Sequence, residues 1–169
     1  MNISATRLLE LVETELAELG DTQIATHVRA LLVRPFPVIR NWDYGADKEA
    51  YPCWSVLAHE ASNTGIAYCE SGFGPRNPWG LVTLTGTENM SIGMDSGWFP
   101  RFLVAYFESH AASELPIWRV FQQLDDNFPG QPLTMEGTWE STWLEVMRLR
   151  STDTTHRYHC DQSIYRNRD

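Results

Sequence analysis

The first part of the chain carries apolar side chains at helical spacing. Over residues 5–19, apolar positions recur every three or four residues on one side, and glutamate and threonine occupy the other. Gly20 suits the left-handed residue that ends a helix, and Asp21 suits the N-cap of the next one. The pattern therefore predicts a helical hairpin over residues 1–34, stopped by the prolines that follow. Its apolar stripes are Leu8, Leu11, Val12, Leu16, Leu19, Ile24, Val28, Leu31 and Leu32.

From residue 38 the apolar period shortens towards two, which is typical of β-strands. A hydrophilic turn at residues 60–64 separates two of these runs and predicts a β-hairpin. Residues 99–110 return to helical spacing and predict one further helix, whereas residues 125–137, with two prolines and two glycines, predict a loop. The predicted strands are 38–44, 53–59, 65–70, 79–85, 89–94 and 117–122.

The last stretch fits two structures. Trp139, Trp143, Val146 and Met147 have the i, i+4, i+7, i+8 spacing of a helix. Residues 143–164 also fit a long hairpin with strands at 143–150 and 155–164 and a polar turn at 151–154. We favour the hairpin, because its second half is rich in Thr, Tyr and His and has no helical stripe.

These elements predict an α+β fold in a single domain, residues 1–169. The helical hairpin is followed, over residues 38–169, by an antiparallel sheet of about five to seven strands and one helix near residues 99–110. The 169 residues, 43% hydrophobic and 21% charged, exclude disorder, collagen and coiled coil as the main state.

The formal net charge of −9 changes the picture of possible partners. Residues 1–147 hold 8 basic and 19 acidic side chains, whereas residues 148–169 hold five arginines against three aspartates. An acidic body repels phosphate backbones, so we expect no nucleic-acid partner, and it would attract a basic protein. The N-terminal segment is crossed by glutamates, unlike a signal peptide or a membrane span, so we expect a cytoplasmic protein with no membrane partner.

The glycine- and proline-rich segment 70–80 is a candidate binding loop. Its glycines permit close backbone approach, and Arg76, flanked by Phe73 and Trp79, could present its guanidinium fork to a carboxylate or phosphate. A long hairpin loop would need the same glycines and prolines for its shape alone, and we favour that simpler interpretation. An anion- or small-molecule-binding domain around Arg76 remains an alternative.

The three cysteines, Cys53, Cys69 and Cys160, form no disulfide framework, so we expect reduced thiols. If residues 53–59 and 65–70 pair, Cys53 and Cys69 have the same parity and can share a sheet face. Cys69 or Cys53 with His59 could serve a small hydrolase or transferase, although most free cysteines are simply buried.

A metal site is not expected, because no Cys-x2-Cys occurs and His156 and His159 would point to opposite faces of a strand. We likewise expect no cofactor, and we assign no catalytic residue in the main hypothesis.

Seven tryptophans are more than one core of this size needs. Because Trp79, Trp98 and Trp139 each adjoin a glycine- or proline-rich loop, we expect them to be candidates for surface anchors. Burial in the core explains each of them equally well.

The stretch Ser62-Asn-Thr-Gly-Ile-Ala-Tyr-Cys-Glu-Ser-Gly-Phe-Gly-Pro-Arg-Asn-Pro-Trp-Gly80 resembles segments of small uncharacterised bacterial proteins. In size, acidity and tryptophan content the chain is similar to immunity proteins of polymorphic toxin systems. The resemblance carries no catalytic motif and implies a protein that occludes a bacterial toxin. Our expectation is therefore a non-enzymatic, acidic protein-binding module.

Overall fold

The structure, a computed structural model, describes residues 3–42, 46–71, 76–85, 97–123 and 130–162. These residues form an α+β structure with N-terminal helices and antiparallel sheets, so the predicted fold class is confirmed. The chain divides into two compact units, unit 1 (residues 1–112) and unit 2 (residues 113–169).

Unit 1 combines helices with a five-stranded antiparallel sheet of order β1-β2-β3-β4-β5. Its helices are α1 (Ala5–Leu19), α2 (Thr22–Leu31) and α3 (Phe102–Phe107). Its strands are β1 (Leu32–Asn41), β2 (Ala50–His59), β3 (Thr64–Tyr68), β4 (Trp79–Thr83) and β5 (Trp98–Phe99). Short 3-10 helices lie at Glu60–Ser62 and His110–Glu114.

The predicted helical hairpin is confirmed together with its end signals. Gly20 ends α1 with a φ of 69°, and the Asp21 side chain accepts a hydrogen bond from the Ile24 N–H at the start of α2. The fully buried stripe positions are Leu8, Val12, Leu16, Ile24 and Val28.

The start of the first strand was predicted wrongly. Strand β1 begins at Leu32, directly after α2, and not at residue 38, and it contains both Pro35 and Pro37. The strand tolerates these prolines because β1 lies at the edge of the sheet, where backbone donors are needed on one side only.

The hairpin of β2 and β3 and the strand β4 are confirmed, with antiparallel pairing throughout. The predicted strand 89–94 lies outside the described residues, and the fifth strand of the sheet is Trp98–Phe99. Of the predicted helix 99–110, only Phe102–Phe107 forms an α-helix, α3. Its first N–H groups donate to α1, with Phe102 N and Leu103 N lying 3.1 and 2.9 Å from the Glu15 carboxylate oxygens.

Unit 2 packs the helix α4 (Trp139–Thr152) against a two-stranded antiparallel sheet of β6 (Trp118–Gln123) and β7 (Arg157–Gln162). The predicted strand at 143–150 is therefore wrong. These residues form a helix because Thr138 caps its N-terminus and the helical spacing puts Val146 into the small core. The strand in the second half exists, but its partner is β6.

The small core of unit 2 consists of Val120, Val146 and Tyr158, with Trp143 and Leu149 packed against it. The described part of the predicted loop, residues 130–137, is extended and touches β6 through two isolated bridges, Trp118 with Gly137 and Phe121 with Pro132.

Candidate functional site

The glycine-rich loop contributes one described and exposed candidate, Arg76. Phe73 lies outside the described residues. Trp79 does not flank Arg76 at the surface, because its indole is 3% exposed and packs edge-on against Tyr68 and Phe102 at centroid distances of 5.0 and 5.3 Å. Of the two described loop candidates, Arg76 is therefore exposed and Trp79 is buried.

Trp98 is also buried rather than at the surface. Its ring covers Gly80 of β4, where an added Cβ would lie 2.7 Å from three of the ring carbons, and it lies 6.0 Å from the Trp42 ring. Trp98 therefore fills the core at the β4–β5 end of the sheet, and binding through this residue stays a prediction.

Trp139 is the one tryptophan of the three that is substantially exposed, at 41%. Its ring stacks on Trp143 with a centroid distance of 5.8 Å and an interplanar angle of 6°. Leu144 and Met147, on the same helix, are 65% and 50% exposed. We call these three residues, Trp139, Leu144 and Met147, the α4 apolar face. Sequence reasoning missed Leu144 and Met147 because it placed residues 143–150 in a strand.

The thiols of Cys53 and Cys69 meet in the core of unit 1. Both are free cysteines of one buried cluster, and their thiols lie 3.7 Å from Tyr51 O and 3.6 Å from Pro52 O, two neighbouring carbonyl oxygens of β2. His59 lies six residues beyond Cys53 on the same strand, about 20 Å away at 3.3 Å per residue. Instead of a thiol, the His59 Nδ1 contacts Ser62 Oγ at 2.7 Å in the turn after β2. The structure thus unites the two cysteines but not the predicted cysteine–histidine pair.

The sheet of unit 1 is strongly curved, and its concave side holds a cavity. Arg40 on β1 donates from Nη1 to the carbonyl oxygen of Thr83 on β4 at 2.9 Å. On a flat sheet β1 and β4 would lie about 14 Å apart, since neighbouring strands are about 4.8 Å apart. Register shifts between β1 and β2 and between β2 and β3 provide the bends.

The cavity on this concave side has a volume of about 510 Å³. Its wall is mainly apolar, and the guanidinium of Arg40, a residue only 3% exposed, forms part of it. Burial lowers the pKa of Arg40, but an arginine remains charged. Sequence analysis did not single out Arg40, because the strand contact that buries it is formed by a residue 43 positions away. The wall residues include Val33, Phe36, Val38, Ser55, Ala58, Asn63 and Leu84.

Unit 2 contains a polar cluster around Asp153 that sequence analysis also missed. The carboxylate accepts hydrogen bonds from Thr155 N and Oγ1 and from the Tyr158 hydroxyl, and it lies 2.7 Å from His156 Nδ1. These bonds, that of the Thr155 hydroxyl above all, hold the pKa of Asp153 far below its usual value. The cluster closes the turn between α4 and β7 and borders a cavity of about 480 Å³.

Among the described residues, no group of three or more His, Cys, Asp or Glu side chains is arranged to hold a metal ion. The helices of the described ranges are all too short or too polar to cross a membrane. Comparisons with protein-family models, curated protein sequences and solved structures find no match to the chain.

Proposed function

We propose that the protein is a non-enzymatic binding module that holds a basic protein partner against the α4 apolar face. The observation that carries this proposal is the exposure of three large apolar side chains on one helix, Trp139, Leu144 and Met147. Isolated exposed apolar residues are ordinary, but several on one element mark an interaction surface. Tryptophan is also enriched among the residues that contribute most to binding.

The negative net charge of the chain favours a positively charged partner. A net charge of −9 attracts a cationic molecule over a distance of about 8–10 Å at physiological salt. On α4, Glu145 is neutralised by Arg148 at 2.6 Å, whereas Glu140 is exposed one turn before Leu144. We therefore expect charge to raise the association rate and the apolar contact to slow dissociation. A cationic toxin domain would be a partner of this kind.

The test uses a synthetic amphipathic helical peptide with leucine on one face and arginine on the other. Its association and dissociation rates are measured on the immobilised protein at low and high salt. We compare Leu144→Gln with Ile39→Gln, because Leu144 and Ile39 are 65% and 64% exposed and Ile39 lies in unit 1. Loss of one buried leucine contact costs about 1.5 kcal/mol, or roughly a tenfold faster dissociation.

The proposal requires that only Leu144→Gln speeds dissociation and that salt slows association of all three proteins. Equal effects of the two variants, or an effect of neither, would refute it. Dimerisation of the protein through α4, seen by sedimentation and abolished by Leu144→Gln, would also refute it, because the face would then be a self-association surface.

A second candidate function rests on the cavity of unit 1. A volume of about 510 Å³, a mainly apolar wall and one buried guanidinium suit a small amphipathic carboxylate whose charged end lies at Arg40 rather than at Glu60, which also lines the cavity. This interpretation moves the predicted anion site from Arg76 to Arg40. Calorimetric titration with octanoate and with octanol tests it: octanoate should bind more tightly, and Arg40→Met, but not Arg34→Met at an exposed position of β1, should remove the difference. Equal binding of both compounds to the wild-type protein would exclude a role for the charge.

A further inference from the structure

Cys53 lies on β2, and Cys69 directly follows Tyr68, the last residue of the neighbouring antiparallel strand β3. The register pairs Trp54 with Tyr68, so its continuation by one residue sets Cys53 opposite Cys69. Facing residues of antiparallel strands have Cα atoms about 4.5–5.5 Å apart. This separation lies inside the range of about 4.4–6.8 Å that a disulfide spans. A bond between the two sulfur atoms would therefore need little movement of the backbone.

The surroundings of the two thiols differ from those of the third cysteine. Cys53 and Cys69 pack on the same cluster as Trp98, and each sulfur also lies near a backbone carbonyl of β2, 3.7 Å from Tyr51 O and 3.6 Å from Pro52 O. Cys160 lies on β7, and it is the one cysteine in the sequence of unit 2. The chain thus contains one thiol pair and an internal control.

The interaction between the paired thiols makes them unequal. The interaction with Cys53 lowers the pKa of Cys69, whereas the interaction with Cys69, together with burial, raises the pKa of Cys53. Burial raises the pKa of Cys160 to about 12. Among these three thiols, Cys69 is therefore the one most readily converted to a thiolate.

We propose that Cys53 and Cys69 form a reversible redox site, with Cys69 as the attacking thiol and Cys53 as the resolving thiol. With hydrogen peroxide as oxidant, the Cys69 thiolate attacks one peroxide oxygen, the O–O bond breaks, and hydroxide leaves, giving the sulfenic acid. The Cys53 sulfur then attacks the Cys69 sulfur, the S–O bond breaks, and water leaves. In sum two thiols and one peroxide yield one disulfide and two waters.

Cys69 lies at the end of a strand, where local opening would admit an oxidant. The residue follows Tyr68, the last residue of β3, and its N–H is held by the carbonyl oxygen of Pro78 at 2.8 Å. Because Cys69 is only 1% exposed, the reaction requires transient opening of this strand end. We therefore expect slow oxidation that quickens when mild denaturant loosens the end of the strand.

The experiment treats the reduced protein with hydrogen peroxide and counts the remaining thiols under denaturing conditions. The proposal predicts a fall from three thiols to one, a mass lower by two hydrogens, and reversal by dithiothreitol. Cleavage after glutamate separates the cysteines into peptides 50–60 and 61–70, which should be recovered joined. Cys160→Ala is the control variant and should still form the bond.

Two variants separate the roles of the paired thiols. Cys53→Ser, which keeps a hydroxyl beside Cys69 but cannot form a disulfide, should stop at a sulfenic acid on Cys69 that a dione probe traps, whereas Cys69→Ala should keep both of its remaining thiols. Retention of three thiols by the wild-type protein, or oxygen added to Cys160 while peptides 50–60 and 61–70 stay separate, would refute the proposal. The peptide result is obtained on the native sequence, so it decides the question even if a variant fails to fold.

Discussion

The contact between Gly80 and Trp98 allows the packing of unit 1 to be tested with a single methyl group. In Gly80→Ala the new Cβ would lie 2.7 Å from three carbons of the Trp98 ring. Ordinary carbon contacts are about 3.5–4.0 Å, so the ring would have to move by about 1 Å. The ring has little room to do so, because Trp98 is held in the cluster that contains Cys53, Cys69 and Val82.

An added methyl group in a packed core costs about 1–3 kcal/mol. For a chain of this length, each kcal/mol lowers Tm by about 2–4 °C, so we expect Tm to fall by on the order of 5 °C. The measurement is thermal unfolding followed by circular dichroism. Gly20→Ala is the contrasting variant, since its Cβ meets nothing within 4 Å but its φ of 69° strains an alanine by about 1–2 kcal/mol.

A second substitution distinguishes a steric clash with Trp98 from backbone strain. Trp98→Leu removes the ring from Gly80, so Gly80→Ala should cost much less in that background, whereas Gly20→Ala should cost the same in both. A Gly80→Ala protein as stable as the wild type, or additive effects in the double variant, would show that Trp98 does not cover Gly80.

Three further substitutions test other contacts. Glu15→Ala should lower the free energy of unfolding, measured by urea unfolding, by about 1–2 kcal/mol, because two N–H groups of α3 lose their acceptor. The control Glu10→Ala removes an exposed carboxylate and should change the free energy of unfolding by less than about 0.5 kcal/mol. Val146→Ala should cost about 2 kcal/mol in the same assay, since it empties part of the unit 2 core; a smaller cost than that of Leu144→Ala would contradict the orientation of α4. Asp153→Asn should be less stable than the wild type at pH 7, and the difference in stability should shrink as the pH falls below about 4. The reason is that a carboxylate whose pKa is lowered by folding stabilises the folded state above the pKa it has in the unfolded chain, and it loses this effect when it is protonated. A pH-independent difference, measured by thermal unfolding, would assign the effect to shape alone.

The sequence was most informative where the signals were local. Gly20 and Asp21 each mark a helix end by a conformation or a hydrogen bond that involves only neighbouring residues. The hairpin of β2 and β3 was likewise visible in the period of two around one polar turn. Such features depend on interactions between residues close in sequence, so the rest of the fold does not alter them.

Long-range contacts explain what the sequence did not show. The strand β7 was recognised, but its partner β6 precedes it by more than 30 residues, and this pairing leaves residues 139–152 free to form the helix between the two strands. Arg40 has no local signal, because its burial depends on the curvature that brings Thr83 near. The burial of Trp79 and Trp98 beside glycine- and proline-rich stretches of sequence similarly depends on α3 and β4.

The proposed binding surface is tested most directly by mapping it. In a titration of the isotope-labelled protein with the arginine- and leucine-rich peptide, we expect the largest amide shift changes within residues 139–147, and we expect Leu144→Gln to remove them. Changes confined to unit 1, or changes in α4 that persist in Leu144→Gln, would contradict the account.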